Sequence, residues 1–223
     1  YARRHGDGDT RTTLIDGADL DRYCWYVAGT VGHLLTDLFV AGCPDTDLDL
    51  PTLRASAGPL GLLLQMTNIV KDVTDDWQRN WCFIPQTFCE AQGIDSSSLL
   101  DPAHAQAAQA VVDGVNARAL GQYSAAVDYI AALPKDATAL RRFCLFPMLL
   151  ASQTLELAQG NPAVLDPKNP VKVGRDVVAS TLSLVEDLLD DEAARVTAFR
   201  STVLSGSLAV ALQPIVDLSD NTL

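Results

Sequence analysis

The sequence has few of the side chains from which metal–thiolate sites, disulfide frameworks and nucleic-acid interfaces are built. Its three histidines are scattered, so a histidine metal site is not expected. Its five cysteines form no C-x-x-C pair, which fits reduced core thiols better than disulfides or zinc. Only 4 residues are lysine and the net charge is −12, so the clustered basic residues that nucleic acid requires are missing. We therefore expect no nucleic-acid partner.

Long apolar runs and aromatic residues are also scarce. No uninterrupted apolar stretch reaches the ~20 residues of a membrane-spanning helix, because polar residues and a proline interrupt the nearest candidate at 203–216. Aromatic residues make up 6% and hydrophobic residues 48%, a balance that favours packed helices over a β-sandwich. The chain starts at Tyr1, with neither an initiator Met nor a signal-like apolar region. We expect a cytoplasmic protein, with peripheral association at a membrane surface left open.

The acidic residues are mostly aspartate. The chain has 24 Asp against 4 Glu, and 12 Arg against 4 Lys. An Asp-rich, Lys-poor surface stays hydrated in concentrated salt, where charge repulsion is screened. This composition suits a halophilic source and equally an ordinary acidic protein of the cytosol.

Caps, breakers and apolar patterns predict an all-α fold in a single domain, residues 1–223. A polar, glycine-containing linker covers 6–18. Asp101 and Pro102 mark a helix start, since an N-cap acceptor precedes proline at the first helical position. No segment alternates with a period of two, so we expect no β-sheet. The predicted helices cover approximately 19–41, 53–77, 87–92, 101–133, 137–158 and 174–204.

A polar stripe runs along the helix predicted over 53–77. Its members lie three or four residues apart, except for the adjacent last pair, and so share one helix face. Buried carboxylates cost several kcal/mol per ion without a counter-charge. Oxygen ligands without Cys or His indicate a hard ion such as Mg²⁺, which bridges carboxylates to substrate phosphates. The alternative is a solvated helix end, although the stripe also extends into the apolar part. Its members are Gln65, Asn68, Asp72, Asp75 and Asp76.

Two lysines and two glycines allow a functional and a structural interpretation. Lys71, beside the stripe, suits either a leaving diphosphate or a surface ion pair. Lys172, between two valines, either clamps phosphate or extends its ammonium from apolar surroundings into water. Gly29 and Gly32, in the first predicted helix, allow either a close helix contact or room for a long apolar ligand.

Two segments resemble signatures of squalene and phytoene synthases. Residues 23–32, YCWYVAGTVG, resemble the family's Y-C-x-Y-V-A-G-x-V-G. Residues 64–76, LQMTNIVKDVTDD, resemble its second aspartate-rich motif, L-Q-x-T-N-I-x-[RK]-D-x-x-[ED]-D, and a Phe-Ile-Pro follows at 83–85. Two departures stand out. The family's first aspartate-rich motif has no counterpart before Tyr23, and Trp25 stands where the squalene branch commonly has His and the phytoene branch Tyr.

The resemblance implies an isoprenoid-synthase helical bundle around a central cavity, of which this chain would be the C-terminal portion without the N-terminal helices. It implies Mg²⁺-dependent, head-to-head condensation of two farnesyl diphosphates through presqualene diphosphate to squalene, with NADPH as reductant. The sequences FCLFP at 143–147 and VKV at 171–173 favour the squalene branch. GTVG at 29–32 favours a phytoene synthase that joins two geranylgeranyl diphosphates. A non-catalytic subunit that retains the fold is a third hypothesis.

By the same resemblance, individual residues take definite roles. Tyr23 would stand at the carbocation and Lys71 at the leaving diphosphate, as catalytic residues. The metal ligands would be Asn68, Asp72 and Asp76. The substrate-binding residues would be Val27, Val31, Gly32, Leu35, Gln65 and Lys172.

Because only one of the family's two aspartate-rich motifs is present, we expect the 223 residues alone to turn over farnesyl diphosphate slowly or not at all. Electrostatic stabilisation of the leaving group is usually among the largest catalytic terms, so halving the metal site should cost orders of magnitude. Diphosphate release measures this. A rate on the order of 10 per second, ordinary for enzymes, would contradict the expectation.

Overall fold

The computed structural model describes residues 12–43 and 48–190, and most of this part is helical. The prediction of an all-α fold is confirmed. The last predicted helix begins as expected, but its portion after residue 190 lies outside the described residues. The helices are α1 (Gly17–Cys24), continued by a π-helical turn (Trp25–Gly29) into α2 (Thr30–Gly42), then α3 (Leu50–Lys71), α4 (Val73–Gln78), α5 (Gln86–Ala91), α6 (Ala105–Leu120), α7 (Tyr123–Ala131), α8 (Thr138–Ala158) and α9 (Arg175–Asp190).

The expectation that the chain has no β-sheet is wrong. Strands β1 (Thr12–Leu14) and β2 (Trp81–Pro85) pair in parallel. β1 lies inside the predicted linker, and its three residues are too few to show a period of two. Leu14 is buried, so this segment is anchored on the core.

Two predicted helices are each divided in the structure. The helix predicted over 101–133 is interrupted at Gly121 and Gln122, between α6 and α7. The helix predicted over 53–77 bends at Asp72, where φ is −104° and ψ is 15°. Backbone hydrogen bonds of 2.8 Å still run from the Asp72 amide to the Asn68 carbonyl and from the Asp76 amide to the Asp72 carbonyl. The bend therefore leaves the helical hydrogen-bond ladder continuous.

Helix α3 is the centre of the fold. It packs against the π-helical turn and against α2, α6, α7 and α8. Its buried residues lie on all sides from Leu53 to Val70, as expected of a helix enclosed by others. Because α3 ends at Lys71 with Asp72 as its C-cap, the central helix of the fold carries the start of the polar stripe.

The contact between α3 and the helix that carries Tyr23 is lined by glycines. A Cβ on Gly32 would lie 2.2 Å from the carbonyl oxygen of Ala57. A Cβ on Gly61 would lie 2.4 Å from the carbonyl oxygen of Ala28. Both distances are far below van der Waals contact, so only glycine lets these backbones approach so closely. The two helices pack side by side, as the small residues predicted.

Polar contacts fix this helix to two other elements. The guanidinium of Arg118, on α6, donates from Nε to Asp21 Oδ1 at 2.7 Å and from Nη2 to Asp21 Oδ2 at 2.5 Å. The hydroxyls of Thr36 and Tyr129 are hydrogen-bonded at 2.9 Å in the interior. Burial raises the pKa of Tyr129 to about 12, so this hydroxyl stays protonated.

One side of the same helix is apolar and exposed. By length and composition, Gly17–Gly42 could cross a membrane, but the core helix of a soluble protein passes the same test. In its most apolar window 22% of the residues are buried. Its exposed apolar side chains include Tyr26, Val27, Val31, Leu34 and Leu38.

Replacing Gly32 by Ala should destabilise the fold, because the new methyl group would meet the Ala57 carbonyl oxygen. We expect a loss of about 1–3 kcal/mol in the free energy of unfolding, as for other overpacked sites. Gly42→Ala is the matched control: it lies in the same helix, but its Cβ would meet no atom within 4 Å. There alanine should be neutral or stabilise by up to about 1 kcal/mol. Urea unfolding of both variants measures the difference, and equal stabilities would contradict the packing argument.

Candidate functional site

Tyr23 lies beside the polar stripe. Burial raises the pKa of its hydroxyl, and the negative charge of Asp76 also raises it. Tyr23 and Asp76 are 53 positions apart in the chain, and β2 connects them in space: Phe83 of β2 stacks on Tyr23, and β2 packs against both α1 and α4. Tyr23 is therefore a protonated phenol at neutral pH.

Asp72 and Asp76 are one helical turn apart and both are partly buried. Their side chains are 30% and 14% exposed. Burial raises the pKa of Asp76, and the charge of Asp72 raises it further; Asp75 adds to this, while Arg79 and Lys71 oppose it. These carboxylates repel one another in a partly desolvated environment, and an added cation would reduce that repulsion.

Each of the two carboxylates has a basic partner. Lys71 Nζ lies 2.5 and 2.6 Å from the two carboxylate oxygens of Asp72. Arg79 Nη1 lies 3.8 Å from Asp76 Oδ1. Lys71 was predicted at the site from the sequence, and Arg79 was missed. The spacing of three residues between Asp76 and Arg79 on one helix was the available signal.

The oxygen ligands fit Mg²⁺ as a partial shell. In residues 12–43 and 48–190, no three His, Cys, Asp or Glu side chains gather into a metal site. Asp72 and Asp76 would supply two carboxylates, and Asn68, exposed one turn earlier, would supply an amide oxygen. Mg²⁺ suits such a set, because it is usually held by one or two carboxylates and completed by water and substrate phosphate.

An aromatic row begins at Tyr23. Its ring stacks on Phe83 with centroids 4.6 Å apart and an interplanar angle of 19°. Trp81 continues the row, with its ring centroid 6.2 Å from that of Phe83. Both partners come from β2, where alternate residues share a face. The sequence reasoning missed this row, since it treated 83–85 only as a family loop.

The substrate-binding residues predicted on the Tyr23 helix have different surroundings. Val27 and Val31 are 43% and 45% exposed, and Leu35 is half-buried. Gly32 lies at the contact with Ala57 of α3, so its surroundings fit helix packing. The predicted contacts of these residues with a prenyl chain stay predictions.

Gln65 and Lys172 are the remaining predicted substrate ligands. Gln65 is half-buried on α3, two turns before Asp72. Lys172 is exposed in the segment that precedes α9, between buried Val171 and half-buried Val173. Their predicted roles at the substrate stay predictions.

The chain is similar to known proteins over most of its length. A family model described as squalene/phytoene synthase matches residues 4–176. A squalene synthase of Eremothecium gossypii is 33% identical over 159 residues, which cover 70% of this chain and 35% of that protein. A squalene synthase of Yarrowia lipolytica is 30% identical over 218 residues, which cover 91% of this chain and 48% of that protein. This chain thus spans less than half the length of either relative.

The fold has a counterpart among solved structures. A structure described as the complex of TcSQS with the ligand BPH1237 matches with a TM-score of 0.72 and 26% sequence identity. The match covers 94% of this chain and 62% of that chain. It supports the predicted isoprenoid-synthase helical fold.

Replacing Asp76 by Asn should stabilise the metal-free protein at neutral pH. A carboxyl whose folded pKa is raised contributes stability below its unfolded pKa and loses it as pH rises through the folded value. At pH 7 the charged form therefore costs stability, which the neutral amide restores. Thermal unfolding in EDTA at pH 7 and pH 4 measures this, and the gain should shrink at the lower pH, because the raised pKa lets a larger fraction of Asp76 bind a proton there.

Asp95→Asn is the control for this prediction. Hydrogen bonds from the Ser97 side chain and from the Ser97 amide, the latter at 2.7 Å, lower the pKa of the Asp95 carboxyl. Loss of its charge should leave stability unchanged or reduce it at pH 7. A gain equal to that of Asp76→Asn would mean that general charge repulsion, rather than the carboxylate cluster, is responsible.

Proposed function

The chain belongs to the squalene/phytoene synthase family, and on that premise we propose that the protein joins two farnesyl diphosphates head to head and reduces the product to squalene. The supporting observation is the placement of Tyr23 beside two partly buried carboxylates, each with a basic partner. Charged groups that can bind a diphosphate thus lie next to an aromatic phenol that can stabilise a carbocation. The similarity to the squalene synthases of Eremothecium gossypii and Yarrowia lipolytica favours this branch over the C40 branch.

The residues of the site would have different roles in the ionisation of a prenyl diphosphate. Asp72, Asp76 and Asn68 would hold Mg²⁺, whose charge makes diphosphate a better leaving group when it is bound. The ammonium of Lys71 and the guanidinium of Arg79 would add positive charge around the departing oxygens. Both are close enough to the carboxylates to serve the same ligand.

Tyr23 would act on the hydrocarbon part of the substrate. Its ring face, stacked on Phe83, attracts a carbocation, and its protonated hydroxyl can donate a hydrogen bond. The first condensation forms the cyclopropyl intermediate, presqualene diphosphate. Its conversion to squalene requires a second ionisation and a hydride, for which NADPH is the proposed donor. Apolar surroundings would be needed to keep water from the cations.

The product assay tests this proposal. The protein with its full coding sequence is incubated with Mg²⁺ and farnesyl or geranylgeranyl diphosphate, with and without NADPH. We expect presqualene diphosphate from farnesyl diphosphate without NADPH, and squalene with it. An NADPH-independent C40 triene would instead identify a phytoene synthase. No diphosphate release from either substrate would leave the non-catalytic subunit as the explanation.

Matched variants separate chemistry from folding in that assay. Asp76→Asn should lose activity by orders of magnitude while remaining folded, because one metal ligand is removed. Asp95→Asn should retain the rate of the unmodified protein. Equal activities of these two variants would contradict the assignment of Asp76.

Two variants of Tyr23 separate its ring from its hydroxyl. Tyr23→Phe keeps the stack on Phe83, whereas Tyr23→Leu removes the ring. If the ring steadies the cation, Tyr23→Leu should be slower than Tyr23→Phe by up to about thirtyfold, since cation–π contacts contribute about 0.5–2 kcal/mol. Single-turnover rates of diphosphate release measure the difference. Equal losses in both variants would assign the role to the hydroxyl.

A further inference from the structure

We propose that Trp81 is a substrate-binding residue, which extends the Tyr23–Phe83 stack and packs its exposed indole face against the prenyl chain of the substrate. The inference rests on the proposed function, because the occupant is the apolar chain attached to a diphosphate held at Asp72 and Asp76.

A tight turn holds Trp81 next to the carboxylate helix. At the end of α4 the amide of Arg79 donates to the carbonyl of Asp76 at 3.0 Å. Asn80 then takes a left-handed conformation with φ of 62°, which asparagine tolerates better than most residues. β2 starts at the next residue, and Trp81 pairs with Thr12 of β1. The backbone of Trp81 is thus fixed by a turn on one side and a strand on the other.

The two faces of β2 differ in burial. Cys82 and Ile84 are 3% and 1% exposed and face the core. Phe83 is half-buried and Trp81 is 47% exposed, so burial falls along the aromatic row as it leaves Tyr23. A single exposed apolar residue is ordinary. Here the exposed ring ends an ordered aromatic row that starts beside a carboxylate pair.

Trp25 is a second exposed tryptophan, and its surroundings differ from those of Trp81. It is 40% exposed, nearly as much as Trp81. Its ring fills the space over two glycines, since a Cβ on Gly58 would lie 2.2 Å and one on Gly29 2.9 Å from its ring atoms. Trp25 therefore serves the helix contact, whereas Trp81 leaves 47% of its surface exposed within residues 12–43 and 48–190, and we infer that a ligand covers this surface.

The chemistry of a prenyl diphosphate matches this row. Its diphosphate needs the cations and carboxylates near Asp76, and its carbon chain needs an apolar, aromatic surface directly beside them. Tryptophan offers the largest apolar ring and the strongest attraction for a cation. Trp81 would thus add affinity for the chain and favour the positive charge that develops on it.

Binding measurements on the protein with its full coding sequence test the proposal. The probe is a non-hydrolysable farnesyl thiolodiphosphate with Mg²⁺, titrated by calorimetry, and inorganic diphosphate with Mg²⁺ is titrated in parallel. Trp81→Ala should weaken the prenyl probe about tenfold, the loss of one well-packed aromatic contact, and leave inorganic diphosphate unchanged. Trp81→Phe should lose about threefold. Trp25→Phe should bind both probes as the unmodified protein does.

Each other outcome counts against the proposal. If Trp81→Ala binds the prenyl probe normally, or weakens both probes equally, Trp81 does not contact the chain. If Trp81→Ala does not fold, Trp81→Leu, which keeps an apolar side chain, gives the same comparison. If the unmodified protein binds neither probe, the proposed function fails and the inference fails with it. Normal binding by the unmodified protein and by Trp81→Ala overturns only the role of Trp81.

Discussion

The close backbone contact of α3 with α2 and with the π-helical turn before it is the constraint on which the rest of the structure depends. Gly32 lies against Ala57 and Gly61 against Ala28, at distances that exclude any larger residue. This contact sets the separation of two helices, one carrying Tyr23 and the other leading into the carboxylates. A wider separation would move the phenol away from Asp76. The glycines, which have no side chains, therefore determine how far apart the aromatic and the charged groups of the site lie. Asp21 and Thr36, bonded to α6 and α7, then prevent rotation of the Tyr23 helix.

The electrostatics of the site follow from its position at the end of a buried helix. Partial burial raises the pKa of Asp76, and Lys71 and Arg79 supply counter-charge within the same segment. Without a ligand, Lys71 and Arg79 offset only part of the repulsion among the carboxylates. A diphosphate that arrives with metal would let both sets of charges exchange partners: the metal ion would compensate the carboxylates, and the two basic groups would compensate the diphosphate. Such an exchange costs less than bringing unpaired charges into a partly desolvated site.

The sequence predicted features that depend on neighbouring residues, such as helix ends. It did not predict features that depend on contacts between distant segments. Proline at 102 and the glycines near 42 and 160 act locally, so most helix ends were predicted within a few residues. The stripe from Asn68 to Asp76 was visible because helical spacing is regular. β1 and β2 could not be predicted, since each short strand is stabilised by a partner far along the chain. The aromatic row depends on that same pairing, because β2 presents Phe83 to Tyr23 only once the strands have come together.

The π-helical turn makes the length of this helix as important as its composition. The amide of Thr30 bonds to the carbonyl of Trp25, five residues back, so the turn contains more residues than an α-helical one. Loss of one residue there would rotate α1 against α2 by about 100°. Either the stack on Phe83 or the fit of Gly32 against Ala57 could then survive, but not both. Among related chains this stretch should therefore accept substitutions more readily than insertions or deletions.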